Sequence, residues 1–300
     1  MSTEITDSAA MAVEEETYSL WGDAWHRLKE NRLAFYGMVF FFTVGVICFL
    51  APLISAITGL QYDEQNLQLG ASPPSWNHWL GTDDLGRDLL IRIIYGGRVS
   101  IGVGFAATCV SIIIGVAYGA IAGYVGKKTD MVMMRIVDIL YSLPFLIFVI
   151  LLTVFFGRNI ILLFIAIGCV EWLTLSRIVR GQVLHLKVQQ FVEVALTLGS
   201  KKSAIIKKHL IPNVLGPVIV YSTLTVPSVM LLESALSFLG MGVQPPMSSW
   251  GSLIKDGAER MEIYPWQLIF PALIFSMTLF SLNFFGDGLR DALDPKDSRR

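Results

Sequence analysis

Six stretches of the chain, at about 34 to 57, 99 to 125, 131 to 157, 160 to 179, 214 to 240 and 266 to 285, are almost wholly apolar and are separated by more polar segments. Each holds about 20 residues or more, enough as a helix to cross a hydrocarbon core of roughly 30 Å. The pattern predicts an all-α, polytopic membrane protein with six transmembrane helices. Ahead of the first stretch, Leu20, Trp21, Ala24, Trp25 and Leu28 recur at helical spacing, with Asp23, Arg27 and Lys29 elsewhere on the wheel. This predicts a short amphipathic helix, lying in the membrane interface or packed against a partner or the chain's own loops.

Composition sharpens the picture. Of 300 residues, 54% are hydrophobic and 16% charged, with a mean hydropathy of +0.60, where a soluble domain carries about 25% charged residues. The net charge of −1 and pI near 6.4 give no electrostatic reason to expect nucleic acid as a partner. Placement of the charges says more than their sum. With the N-terminus inside, cytoplasmic segments hold 17 of the 23 basic residues, and only Arg87, Arg92, Arg98, Arg158, Lys255 and Arg260 fall outside. The positive-inside rule therefore predicts that both termini are cytoplasmic. The first 30 residues are polar and acidic, without the layout of a removable signal peptide, so the first span is expected to be an uncleaved anchor.

Much chemistry is unsupported. Cys48, Cys109 and Cys169 lie within apolar stretches and read as small hydrophobes. The histidines, His26, His78, His185 and His209, form no HExxH pattern, and neither a CxxC pair nor an EF-hand spacing occurs, so no metal site is expected. Gly126-Lys127-Lys128-Thr129 approaches a phosphate loop, but Ile121 stands where its first glycine belongs and Lys128 where its hydroxyl residue belongs. The chain is not expected to bind ATP alone, and no catalytic residue is assigned.

Features inside the spans point to packing and movement. Gly115, Gly119 and Gly123 lie four apart and put a glycine stripe on one helix face, predicting close approach of a neighbouring backbone. Pro144, Pro227 and Pro271 interrupt other spans. Asp138, Glu171 and Glu233 fall at membrane depth, where each costs about 2.5 to 3.5 kcal/mol on insertion scales unless it faces protein, water or a partner. Asp138 is expected to pair with Arg135 one turn away, and Glu171 and Glu233 are expected to line a wet pathway or to hydrogen-bond between helices. Three acids at this depth also leave proton coupling open. Outside, the loops at 58–98 and 241–264 are longer than simple connections need. Trp76, Trp79 and Trp250 read either as binding-partner contacts or as interfacial packing, and the corner at Asp83, Asp84, Arg87 and Asp88 reads as structural pairing.

Between the fourth and fifth spans, residues 180–213 are neither apolar enough to insert nor rich enough in Gly, Pro and Ser to be a linker. Gln189 to Leu198 and Ser200 to Leu210 predict two short helices, with Gly199 taking the corner and Pro212 ending the second. Glu193, Ala195, Gly199 and Pro212 fall at the spacing of the EAA loop of ABC-importer permeases, glutamate six before glycine and proline thirteen after, with Val194 at a usual alanine and His209 at a usual isoleucine. HWLGTDDLGRDLLIRIIYGGRVS (78–100), with Ile91 at a common serine, and GDGLRDALDP (286–295) are similar to the peptide and nickel branch of that family. With SALSFLGMGVQPPMSSWG (234–251), the resemblance spans most of the chain and is closest to the C-type permeases of oligopeptide importers.

The resemblance implies a non-catalytic permease subunit in the bacterial inner membrane. Its implied partners are a homologous B-type permease, two cytosolic ATPase subunits that bind ATP and Mg, and an external peptide-binding protein. It also implies that 189–212 holds the coupling helix, with Glu193 near the ATPase contact. The chain then divides into a cytoplasmic segment at 1–33, a permease domain at 34–285 and a cytoplasmic tail at 286–300. Dipeptide, glutathione or nickel cargo, a proton-coupled secondary transporter using Glu171 or Glu233, and a membrane scaffold are the alternatives.

Overall fold

A computed structural model describes residues 20–157 and 160–293, and among these it is helical, with one isolated antiparallel bridge between Thr82 and Asp88. The amphipathic segment forms α1 (Leu20–Glu30), followed after Asn31 by α2 (Arg32–Phe49). The Asn31 side chain accepts a hydrogen bond from the Ala34 backbone N–H at 3.2 Å, satisfying a donor the helix start would otherwise leave open. Ala24 and Leu28 are buried with Ala34 and Ala292. Of the placements expected for α1, the structure thus shows packing on this chain, against the end of its last helix instead of a loop. Leu20, Trp21 and Asp23 lie outside the described side chains.

The first predicted span is broken at Leu50 into α2 and α3 (Ala51–Thr58), which ends at Gly59 with φ +73°. The second is longer than the apolar run implies. Helix α4 (Leu89–Val125) has 37 residues and starts ten residues before the expected boundary. The Asp88 carboxylate caps it by accepting from the Ile91 backbone N–H at 2.9 Å, a polar signal that apolar run length does not register. At 1.5 Å per residue α4 is about 55 Å long, so it projects beyond any hydrocarbon core.

The third predicted span is two helices, α5 (Lys127–Tyr141) and α6 (Phe145–Phe156), parted at Ser142–Pro144 because proline cannot donate to the preceding turn and drives the residue before it out of helix. Helix α7 (Ile160–Leu186) contains the fourth predicted span. After α8 (Gln190–Thr197), one helix, α9, runs from Lys202 to Phe238. Pro212 therefore does not end a helix, as its position suggested. A π turn at Ile206–Leu210 immediately precedes it, and this wider turn accommodates the ring. Pro217 and Pro227 also lie inside α9. The chain closes with α10 (Trp250–Ala258) and α11 (Trp266–Leu293), which contains Pro271 and continues past the expected span end. Among the described residues, four helices are individually long and apolar enough to cross a membrane: α2, α4, α9 and α11.

Helix α4 is the central post, with its most extensive packing on α7. The glycine stripe makes this contact. A methyl group added at Gly115 would stand 3.0 Å from the Leu175 Cβ, one at Gly119 would meet the Ser176 carbonyl and the Val179 Cβ at 2.9 Å, and one at Gly123 would meet the Arg180 carbonyl at 3.0 Å. Glycine is needed here for proximity, as close helix packing in a membrane requires. Apolar cores lie at both ends of α4: Phe41, Leu89, Ile93, Met230, Trp250 and Phe275 at one, and Val179, Val183, Val192, Ile205 and Leu210 at the other.

Candidate functional site

At the Leu89 end of α4, polar groups tie the long loops to the helix ends. Asp83 accepts from the backbone N–H groups of Leu85 at 2.9 Å and Arg87 at 3.0 Å, and from the Arg87 Nε at 2.7 Å and the Arg92 guanidinium. Asp88, besides capping α4, meets the His78 Nδ1 at 2.8 Å, and Asp84 pairs with Arg260. Trp266 Nε1 and Gln267 Nε2 both donate to the Thr82 carbonyl at 3.2 Å. The corner at 83–88 is thus structural pairing, and it joins the 58–98 loop to α11. The tryptophans divide: Trp76 and Trp79 are exposed, whereas Trp250 is fully buried and donates from Nε1 to the Ile93 carbonyl at 2.9 Å.

Beside Trp250 lies Glu233. Of the two placements expected for it, the structure shows hydrogen bonding between helices, with the side chain inside the chain's own packing and 0% exposed. Its carboxylate accepts from Ser237 Oγ at 2.6 Å and Ser100 Oγ at 3.2 Å. Ser237 Oγ lies 3.2 Å from Ser249 Oγ, and the Trp250 backbone N–H donates to Ser100 Oγ at 3.1 Å. One acid thereby pins α4, α9 and the start of α10 together. A buried carboxylate is tolerable only with partners of this kind. The i,i+4 spacing of Glu233 and Ser237 hints at half of the cluster, but nothing in the local sequence points to Ser100 or Ser249.

The two other acids at membrane depth are placed differently. Asp138 pairs with Arg177 of α7 at 2.9 Å and not with Arg135, because α5 lies along α7 and the Arg177 guanidinium, stacked 4.6 Å over the Tyr141 ring, reaches across the gap. Glu171 is half-buried and lines a cavity of about 300 Å³ with Leu140, Tyr141, Phe148 and Thr174.

At the opposite end of α4, α8 and the start of α9 form a helical corner. Val192 and Ala195 are buried against Ile205, Leu210 and the α7 residues Val179 and Val183. On the other side Glu193 is exposed, and so are Phe191, Val194, Leu196 and, at 79%, Leu198. The helix ends in a Schellman motif, with the Ser200 N–H bonded to the Ala195 carbonyl at 3.0 Å and the Gly199 N–H to the Leu196 carbonyl at 2.9 Å. Gly199 takes φ +76°, which glycine adopts without a Cβ penalty, and nothing stands within 4 Å of where a Cβ would be. His209 lies within the π turn, where its carbonyl accepts from Asn213 Nδ2 at 2.6 Å, and Pro212 is exposed.

Behind this corner is a clamp that spacing along the chain did not reveal. Arg180 of α7 grips Asp130 of α5 with two parallel bonds, at 2.5 and 2.6 Å, and Lys187 donates to the Gly123 carbonyl at the end of α4 at 3.0 Å. The Arg180 hydrogen bonds hold the Asp130 carboxyl below the ordinary aspartate range. The corner is therefore rigidly mounted yet apolar on its free face. Among the described residues, no group of His, Cys, Asp and Glu is arranged to hold a metal ion.

Residues 115–299 match the family described as binding-protein-dependent transport system inner membrane component, and residues 19–74 match the N-terminal TM domain of oligopeptide transport permease C. The chain is 50% identical to the oligopeptide transport system permease protein OppC of Haemophilus influenzae, over 99% of this chain and 96% of that protein. It is 49% identical to OppC of Escherichia coli K12, over 99% and 98%. In fold it is similar to a chain of the inward-facing MetNI methionine ABC transporter, with a TM-score of 0.54, 17% identity, and coverage of 69% of this chain and 98% of that one.

Proposed function

The chain belongs to the family of binding-protein-dependent transport system inner membrane components, and we propose that it serves as the oligopeptide-conducting permease subunit of an ATP-driven importer. The observation that carries this reading is its likeness, over 99% of its length, to two oligopeptide permeases. It is a multi-pass membrane protein, and we place it in the bacterial inner membrane. The work it does is conduction. Hydrolysis belongs to partner ATPases, which bind the ATP and Mg, and its remaining partners are a second, B-type permease and an external peptide-binding protein.

In this reading coupling runs through α8 and α9. Helix α8 buries one face on its own chain and leaves Phe191, Val194 and Leu198 for a groove in an ATPase subunit, with Glu193 at the edge of that contact. An apolar patch in an aqueous compartment marks an interaction site. Movement of α8 is transmitted through the Gly199 corner into α9, which at 37 residues reaches about 55 Å. The same helix carries Glu233, so a push at the cytoplasmic end is delivered at the outer cluster that joins α4, α9 and α10. Alternating access needs such an element with few soft points.

Labelled tetrapeptide uptake, measured in cells with and without this chain after the proton gradient is collapsed and ATP is held high, tests the reading. Uptake that requires the chain and survives collapse is expected. Uptake that requires the chain but stops with the gradient would transfer the function to a proton-coupled carrier.

A further inference from the structure

Glu171 and Glu233 are both acids at membrane depth, but the chain satisfies only one. Glu233 has hydroxyl partners on every side, whereas Glu171, among the described residues, has neither a salt bridge nor a hydrogen bond, and it opens onto the cavity of about 300 Å³. It is the twelfth residue of α7, about 17 Å along the helix from its start. The nearby charges do not help it, since Arg177 is engaged by Asp138. A carboxylate at such depth calls for a water-filled cavity or a counter-charge.

The remaining lining narrows the choice of counter-charge. Leu140, Leu143, Phe148, Val170 and Leu173 make most of the wall apolar, and Tyr141 and Thr174 are the hydroxyl-bearing side chains of the lining. A largely apolar wall that holds one acid matches a side chain with an aliphatic stem and a cationic tip. The cavity also lies beside the Ser142–Pro144 break between α5 and α6.

We propose that this cavity is a way station for the lysine or arginine side chains of transported peptides, with the Glu171 carboxylate as their counter-ion. The inference rests on the peptide-permease reading above. It makes Glu171 a cargo-discriminating residue: neutral peptides pass without using it, and cationic ones are held there instead of facing the bilayer interior unpaired.

The test is competitive uptake of two labelled tetrapeptides, tetra-alanine and the same peptide with one lysine, by cells carrying the complete transporter with wild-type chain, Glu171→Gln or Glu171→Asp. The expected result is a fall of about fivefold to tenfold in the lysine-to-neutral rate ratio for Glu171→Gln, with recovery toward wild type for Glu171→Asp. An unchanged ratio, including equal slowing of both peptides, would overturn the inference. Tetra-alanine uptake that never required the chain would instead bring down the function proposed above, so the two failures are distinguishable.

Discussion

The two ends of α4 dispose of their awkward groups in opposite ways. At the end that packs on Trp250, the demanding residues are paired within the chain: Glu233 with serines, Asp83 with two arginines, and Trp250 with the Ile93 carbonyl. At the other end, the corner at α8 is packed on its own chain but leaves Phe191, Val194, Leu196 and Leu198 in the open. Self-satisfaction marks a scaffold, and surface left uncovered on a rigid mount marks a place where another protein sits. The same contrast separates Glu233 from Glu171 within one bilayer.

Substitutions at the Trp250 end of α4 should therefore damage the fold, and those at the α8 corner should damage coupling. The largest effect is expected for Trp250→Ala, at about 3 to 5 kcal/mol of destabilisation, because a fully buried ring and its hydrogen bond are both lost. It should appear as reduced folded protein in membranes and a lower unfolding temperature in detergent. Glu233→Ala comes next, at about 3 kcal/mol, since Ser100 and Ser237 lose their shared acceptor and a buried cavity is left. Glu171→Ala should lower the unfolding temperature far less, and equal losses for the two glutamates would break the comparison.

At the corner, Gly199→Ala should cost about 1 kcal/mol, because alanine is strained at φ +76° although space is open around it. Uptake should fall much further than the amount of folded protein. The smallest effect on stability belongs to the clamp. Arg180 lowers the pKa of Asp130, so the folded form is favoured wherever aspartate is ionised, and this contribution is lost only as pH falls below the ordinary aspartate range of about 3.8 and through the lower folded value. The pair is partly exposed, so Asp130→Asn should cost at most about 1 kcal/mol near neutral pH. Between pH 7 and 5, the stability difference between Asp130→Asn and wild type should stay flat in thermal unfolding.

Much of this was legible in the sequence, for identifiable reasons. Apolar run length located the four helices long and apolar enough to cross a bilayer, and the glycine stripe announced a close helix contact, though not its partner, because four-residue spacing is a purely local signal. Gly199 was readable for the same reason. What spacing along one chain cannot express is which helix lies alongside which. Arg135 is near Asp138 in sequence, but Arg177 is near it in space. Ser100 and Ser249 lie far in sequence from Glu233, and only the folded chain gathers them. Pro212 misled because proline was read as a stop, whereas a π turn absorbs it.

The central claim is that the exposed face of α8 docks the ATPase while the rest of the chain holds itself together. Its most direct test is ATPase activity copurifying with the solubilised permease pair, for wild type and for a chain carrying Phe191→Glu with Leu198→Glu. Both positions are exposed, so folding and membrane level should be unchanged within about 0.5 kcal/mol. Loss of the copurifying ATPase with the permease pair intact is the predicted result. Full ATPase recovery with the doubly substituted chain would contradict the account and leave the open face of α8 without a partner.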